Sequence, residues 1–292
     1  MIISHFPSGG NIIRGMPRFS YTGDYEIIND GHGNWRLRLL TSGELTFQSQ
    51  FQADLFAVGG GGGGMQARYT YGPVYNGGSA VGNVSDWYCG GGGAGGRTVT
   101  ERDITLIAGH AYQVTIGAGG AIGSPGGDTS MDALISAQGG RNAPESASNT
   151  GIYGTVGGIG GSGGGSGAFK RTGYYTADHQ AGGGGYDGGD GIERNKGTGQ
   201  GTTTREFGEL NGELYGGGGA GGNHQTAEQM LGGPGGGGDG AATLTNPSSA
   251  SGAGADNLGG GGGGGAINRQ NNQVISASPG GRGILIIRNA RE

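Results

Sequence analysis

From residue 45 to 57 the odd positions read Leu45, Phe47, Ser49, Phe51, Ala53, Leu55 and Ala57. The even ones read Thr46, Gln48, Gln50, Gln52 and Asp54 before Phe56 and Val58 turn apolar. A period of two over that length predicts a half-buried strand, or two strands in line. Upstream, Trp35, Leu37 and Leu39 alternate with Arg36 and Arg38, and Thr41-Ser42-Gly43 supplies a turn, a pattern that predicts a hairpin. Thr98 and Val99 open another strand, which Ile104 to Ile107 extend. After a turn at Gly109-His110, Tyr112, Val114 and Ile116 alternate with Gln113 and Thr115. Leu134 and Ile135 mark a weaker strand, and Gly283 to Ile287 close the chain as a short buried one. No stretch carries a period of 3.6, so almost no α-helix is expected.

Glycine interrupts this pattern. Gly59 to Gly64 follow directly on the apolar run, Gly259 to Gly265 precede the last strand, and shorter runs fall at 90–93, 163–165, 182–185, 216–219 and 235–238. Glycine supplies 80 of 292 residues, against a usual share of about 7%. Linkers of such composition are not bracketed at both ends by strand signals. Packed glycine has another option. Without a Cβ, extended left-handed helices with about three residues per turn can lie almost in contact. Their N–H and C=O groups must then pair between helices. One such helix is marginal, since ordering a residue costs on the order of 1–2 kcal/mol and a hydrogen bond returns about 0.5–1.5 kcal/mol. Several runs in one chain are what a bundle needs.

The expected architecture is all-β: an antiparallel, jelly-roll-like β-sandwich with a large inserted bundle of polyglycine II helices. The framework comprises residues of about 21–58, 97–138 and 283–289, and the bundle with its loops about 59–96 and 139–282. Residues 21–292 form one domain in this reading, and residues 1–20 an attachment segment. Gly61, Gly92, Gly183, Gly217, Gly236 and Gly262 represent the scaffold runs.

Composition narrows the function. Apolar residues are 32%, charged residues 13%, and the net charge is −5 with both signs scattered, so no basic block suggests a nucleic-acid partner. Ile284 to Ile287 is too short to span a bilayer. The opening MIISHFPSGG shows no signal-peptide pattern, which predicts synthesis in a cytosol. Cys89 is alone, excluding an intrachain disulfide.

The ordered combination Thr41-Ser-Gly-Glu-Leu-Thr-Phe47, Asp54-Leu-Phe-Ala-Val58 entering Gly59, Gly117-Ala-Gly-Gly120, Gly126-Gly-Asp-Thr-Ser130 and Gly281-Arg-Gly-Ile-Leu-Ile-Ile-Arg288 resembles the glycine-rich tail proteins of bacteriophages and prophages. The likeness runs from about Tyr21 to Arg288. A similar design occurs in the glycine-rich region of anaplastic lymphoma kinase, whose cysteines and membrane span this chain lacks. The adhesins capping the long tail fibres of T-even-type phages also join polyglycine helices by receptor-binding loops; unlike them, this chain has a sandwich of its own. The resemblance implies a virion protein made in the host cytoplasm. It implies a tail-fibre or tail-tip adhesin, or else a purely structural decoration, collar or baseplate subunit. Its partners would be other tail proteins, bound through the N-terminal segment, a host-surface glycan or protein, and further copies of itself.

The segments between runs fit display of binding loops. Tyr69, Tyr71, Tyr75, Trp87, Tyr88, Tyr174, Tyr175 and Tyr186 stand among Gly, Ser, Asn and Thr, a mixture of rigid aromatic area and adaptable polar groups. The alternative for each is that it seals an open end of the bundle. Catalytic signals are weak. His5, His32, His110, His179 and His224 show no metal-ligand spacing, and Cys89 has no evident base. Glu101, Asp103, Glu206 and Glu209 could pair only by spatial coincidence, so no enzyme activity and no cofactor are expected.

Overall fold

The computed structural model describes residues 15–76, 78–144, 156–174, 176–193, 196–226, 228–243 and 248–291. The attachment segment therefore lies mostly outside the described residues. The strands are β1 (Phe19–Tyr21), β2 (Tyr25–Gly31), β3 (Asn34–Leu39), β4 (Gly43–Phe47), β5 (Phe51–Val58), β6 (Arg68–Asn76), β7 (Ser79–Tyr88) and β8 (Thr98–Leu106). They continue as β9 (Ala111–Thr115), β10 (Thr129–Met131), β11 (Ile135–Ala137), β12 (Phe169–Gly173), β13 (Ala177–His179), β14 (Ala266–Ile267), β15 (Val274–Ile275) and β16 (Ile284–Asn289). A single 3-10 turn, Glu206–Gly208, is the one helical element among the described residues.

Two antiparallel five-stranded sheets form a sandwich: β1-β4-β9-β10-β11 faces β2-β3-β16-β5-β8, and neither closes into a barrel. Leu45, Phe47, Tyr112, Val114, Met131 and Ile135 meet Trp35, Leu37, Leu39, Ala53, Leu55, Leu285 and Ile287 in one core. Each of the large aliphatic and Phe side chains among them contributes about 1.5–3 kcal/mol when fully buried. The alternation read from residue 45 onward holds its phase because β4 and β5 line opposite walls of this core. They are consecutive strands, but they belong to different sheets.

The expected hairpin around Thr41-Ser42-Gly43 is not formed. β3 pairs with β2 and β16, and β4 pairs with β1 and β9, so the turn carries the chain from one sheet to the other. The last strand is not at an edge: β16 lies between β3 and β5, which places chain entry to and exit from the insertion side by side.

Beyond Val58 the run 59–64 forms the centre of a bundle. The N–H groups of Gly59, Gly62 and Met65 donate to Arg97, Ala94 and Gly91; those of Gly60 and Gly63 to Gly127 and Ser124; those of Gly61 and Gly64 to Gly281 and Ser278. Every third residue therefore addresses the same neighbour, and the neighbour's numbering falls by three. The carbonyls of Gly61 and Gly64 accept from Gly120 and Gly123, those of Gly62 and Met65 from Gly262 and Gly265, and that of Gly60 from Gly140. Three antiparallel segments thus take its donors and three more serve its acceptors, a hexagonal arrangement around one chain. None of Gly59 to Gly64 has positive φ, and a threefold helix with negative φ is the left-handed polyproline II form. Segment 117–127, assigned to the framework in the sequence reading, is a member of this lattice.

The outer face of the β16 sheet is covered rather than solvated. Phe207 and Tyr215 pack on Phe56, Ile284 and Ile286. Phe207 adopts φ 52°, a conformation costly for a bulky side chain. The Arg288 guanidinium lies 3.9 Å from its ring centroid and donates to Asp54 (3.0 Å) and Glu209 (2.6 Å).

Candidate binding surface

The bundle has two ends. Gly59, Gly96, Gly259 and Gly283 are tied together at the sandwich. At the far end, Cys89 N–H donates to Ala168, Ala168 to Gly222, Gly222 to Gly90, and Gly90 to Gly265, so four chain segments finish in one hydrogen-bonded layer. Hairpins leave this layer where the sequence reading expected loops. β6 and β7 continue through β12 and β13 as a four-stranded antiparallel sheet, and β14–β15 forms a small hairpin beside it.

The two faces of the four-stranded sheet differ. Tyr69 lies opposite Trp87, with ring centroids 5.3 Å apart. Trp87 Nε1 donates to Asn272 Oδ1 (2.8 Å) in the β14–β15 loop, which fixes the indole. Tyr71, two residues on, shares the face and is 63% exposed. Toward the tip, Tyr75 is 64% exposed after a register shift at Val74, and the exposed Tyr174 ring packs beside Gly82, on the Val84 and Asp86 face, while its N–H donates to Asn83 C=O (3.2 Å). The opposite face is closed by a buried network: Arg171 grips Asp86 through two bonds of 2.7 and 2.6 Å, and Tyr88 Oη donates to Asp86 Oδ2 (3.1 Å).

The structure therefore divides the predicted anchors. Tyr69, Tyr71, Tyr75, Trp87 and Tyr174 are gathered on the far-end sheet. Tyr88 is 2% exposed and packs on Phe169, so it is unavailable as a contact. Tyr186 is exposed at the other end, next to the Asp187–Arg205 ion pair. Tyr175 lies outside the described residues.

The scaffold glycines divide as well. A Cβ at Gly61, Gly92, Gly217 or Gly262 would sit on a neighbouring carbonyl, well inside the 3.0 Å that real Cβ atoms essentially never breach. Gly236 has φ +95°, so it serves a turn instead of a lattice helix. Gly183 is on the rim, where a Cβ would meet Leu231 C=O at 3.1 Å.

Potential catalytic groups are occupied structurally. Sequence reasoning gave Cys89 no base, yet His224 Nδ1 lies 3.0 Å from its Sγ. No local spacing could have revealed a pair 135 residues apart. Burial pushes the thiol up to about 12 and pulls the imidazole down to about 4, leaving both neutral and sealed from solvent. Glu206 is held by Arg36 (2.9 Å) and Glu209 by Arg288. Among the described residues no group of three His, Cys, Asp or Glu side chains could hold a metal, and no helix is long and apolar enough to cross a membrane.

A model of the glycine-rich domain matches residues 41–290. The chain belongs to the glycine-rich domain family. The family span takes in β4 to β16, the whole lattice and the far-end sheet, and leaves β1 to β3 upstream. No curated protein matches the chain. In this member of the glycine-rich family the scaffold ends in a display of aromatic side chains, and that display is its best-defined candidate site.

Proposed function

We propose that the protein is a structural virion component of a bacteriophage, a tail-fibre or tail-tip adhesin made in the host cytoplasm. Its far-end sheet contacts a glycan or protein on the host surface. Other tail proteins bind its N-terminal segment, residues 1–20, and no catalysis is involved. One observation carries the reading: Tyr69, Tyr71, Tyr75 and Tyr174 remain exposed on a sheet whose base is locked into a lattice. Exposed aromatic groups on a rigid mount lose little freedom on binding, and such groups dominate interface energetics.

The test is adsorption of labelled protein to a panel of bacterial strains, with Tyr71→Ala/Tyr75→Ala as the variant. The pair should keep its melting temperature within a few degrees while affinity falls, since truncating a hot-spot aromatic costs about 2 kcal/mol or more. Undiminished adsorption of the double variant would reject this sheet as the contact surface and favour the purely structural virion subunit.

A further inference from the structure

Beside the β13 edge of the far-end sheet lies a cleft of about 380 Å³, lined by residues 180–183, 192–193, 223, 225–226 and 229–231. That volume is near the lower end of small-ligand sites, about 300–1,000 Å³. We propose that this cleft is a binding subsite for a short neutral oligosaccharide, an inference that deepens the adhesive reading and rests on it for the source of the sugar.

The amides come first. Gln225 Nε2 donates to His179 C=O (2.8 Å) and to Asp178 Oδ1, and Gln229 Nε2 donates to Ala250 C=O (2.8 Å). With their nitrogen ends tied to the protein, both amides keep their carbonyl oxygens as fixed acceptors. Little side-chain entropy is left to lose when a hydroxyl donates to them. Glu193 adds a further acceptor.

The charge balance selects among ligands. Among the described lining residues Glu193 is the sole ionisable side chain, and no lysine or arginine is present. Phosphate, sulfate and carboxylate groups would meet the like charge of Glu193, with no cation among the described lining residues to offset it. A ligand rich in hydroxyl donors and free of negative charge fits.

Apolar surface completes the site. Ile192 and Leu231 are 56% and 68% exposed beside these acceptors, a patch that the C–H face of a pyranose would cover. The lattice is open here too. Gly182, Gly184 and Gly185 donate to Ser166, Leu231 and Gly163, whereas the Gly183 N–H donates to no backbone carbonyl among the described residues. The rim helix thus offers the cleft a main-chain donor for a ring or hydroxyl oxygen.

The experiment is a printed array of short hexose and N-acetylhexosamine oligosaccharides, neutral and acidic, probed with the intact chain. Gln229→Ala and Ile192→Trp test the cleft, and Tyr71→Ala is the control on the other side of the sheet. The expected result is binding to neutral glycans, weakened about tenfold or more by both cleft variants, as for hot-spot truncation, and unchanged by Tyr71→Ala. Melting curves of both cleft variants should overlay the parent. Binding to acidic glycans alone, no binding to any glycan, or equal binding by the cleft variants would overturn the proposal. If labelled protein still adsorbs to bacteria in those cases, the adhesive reading survives without the cleft. If neutral glycans bind but no strain is adsorbed, the cleft stands and the adhesive reading fails.

Discussion

At the scale of single residues, whether a glycine can be replaced depends on where its missing Cβ would point. Gly262 would drive a methyl into the Ser278 carbonyl, Gly183 would meet the Leu231 carbonyl at 3.1 Å, tight but relieved by a small shift, and Gly72 has nothing within 4 Å. Overpacking of this kind costs about 1–3 kcal/mol, and more when the obstacle is backbone that other segments hold in place. Gly262→Ala should therefore lower the melting temperature strongly, Gly183→Ala less, and Gly72→Ala hardly at all; equal midpoints for all three would contradict the lattice. His224 gives a second residue-scale prediction. Burial, helped by Arg269, holds its imidazole near 4 in the fold against 6.5 for the free side chain. Between those values the unfolded chain binds a proton that the folded chain refuses. This contribution to stability is complete above pH 6.5 and is lost as pH falls toward 4, by about 3 kcal/mol in all. His224→Gln should flatten the acid limb of a melting-temperature profile, and an unchanged limb would show that another group controls it.

At the scale of elements, the strands with strict alternation were legible because each has one face on a core. Trp35 to Leu39 and Leu45 to Phe47 carry that signature, while β5 is buried on both faces from Ala53 onward. What alternation lacks is partner identity, so a turn at Thr41-Ser42-Gly43 looks the same whether it joins two strands of one sheet or crosses between sheets. β6 and β7 were read as loops because Tyr69, Thr70 and Tyr71 are all exposed and no apolar stripe shows. Of the candidate anchors, composition picked out the far-end aromatics, but it could not separate exposed Tyr71 from buried Tyr88. The cleft was invisible, since its segments meet only through the lattice. The 3-10 turn shows how such irregular elements are held: Arg288 and Asp54 are each 1% exposed at the side chain, and Arg288 also carries Glu209 and the Phe207 ring. Removing one partner of a buried pair costs about 3–5 kcal/mol. Arg288→Met should destabilise by that order in denaturant titration, with Arg102, 3.4 Å from Asp54 and half-exposed, giving little compensation. A loss under about 1 kcal/mol would mean that the pair is not holding the turn.

At the scale of the whole molecule, a sandwich core and a hydrogen-bonded glycine lattice share the strands β5, β8 and β16, so neither can open alone. Gly61 reaches Gly281 and Gly62 reaches Ala94 and Gly262, which makes the contacts overwhelmingly non-local and folding slow. In return the far-end sheet stands on a base in which each member braces several others. Hydrogen exchange resolved at the amides of Gly59 to Gly64 tests this most directly. All six donate to neighbouring segments, so they should exchange orders of magnitude more slowly than unstructured glycine and as a group with the β5 and β16 amides. Random-coil exchange at Gly59 to Gly64, with β5 and β16 still protected, would instead describe a sandwich carrying a flexible glycine linker.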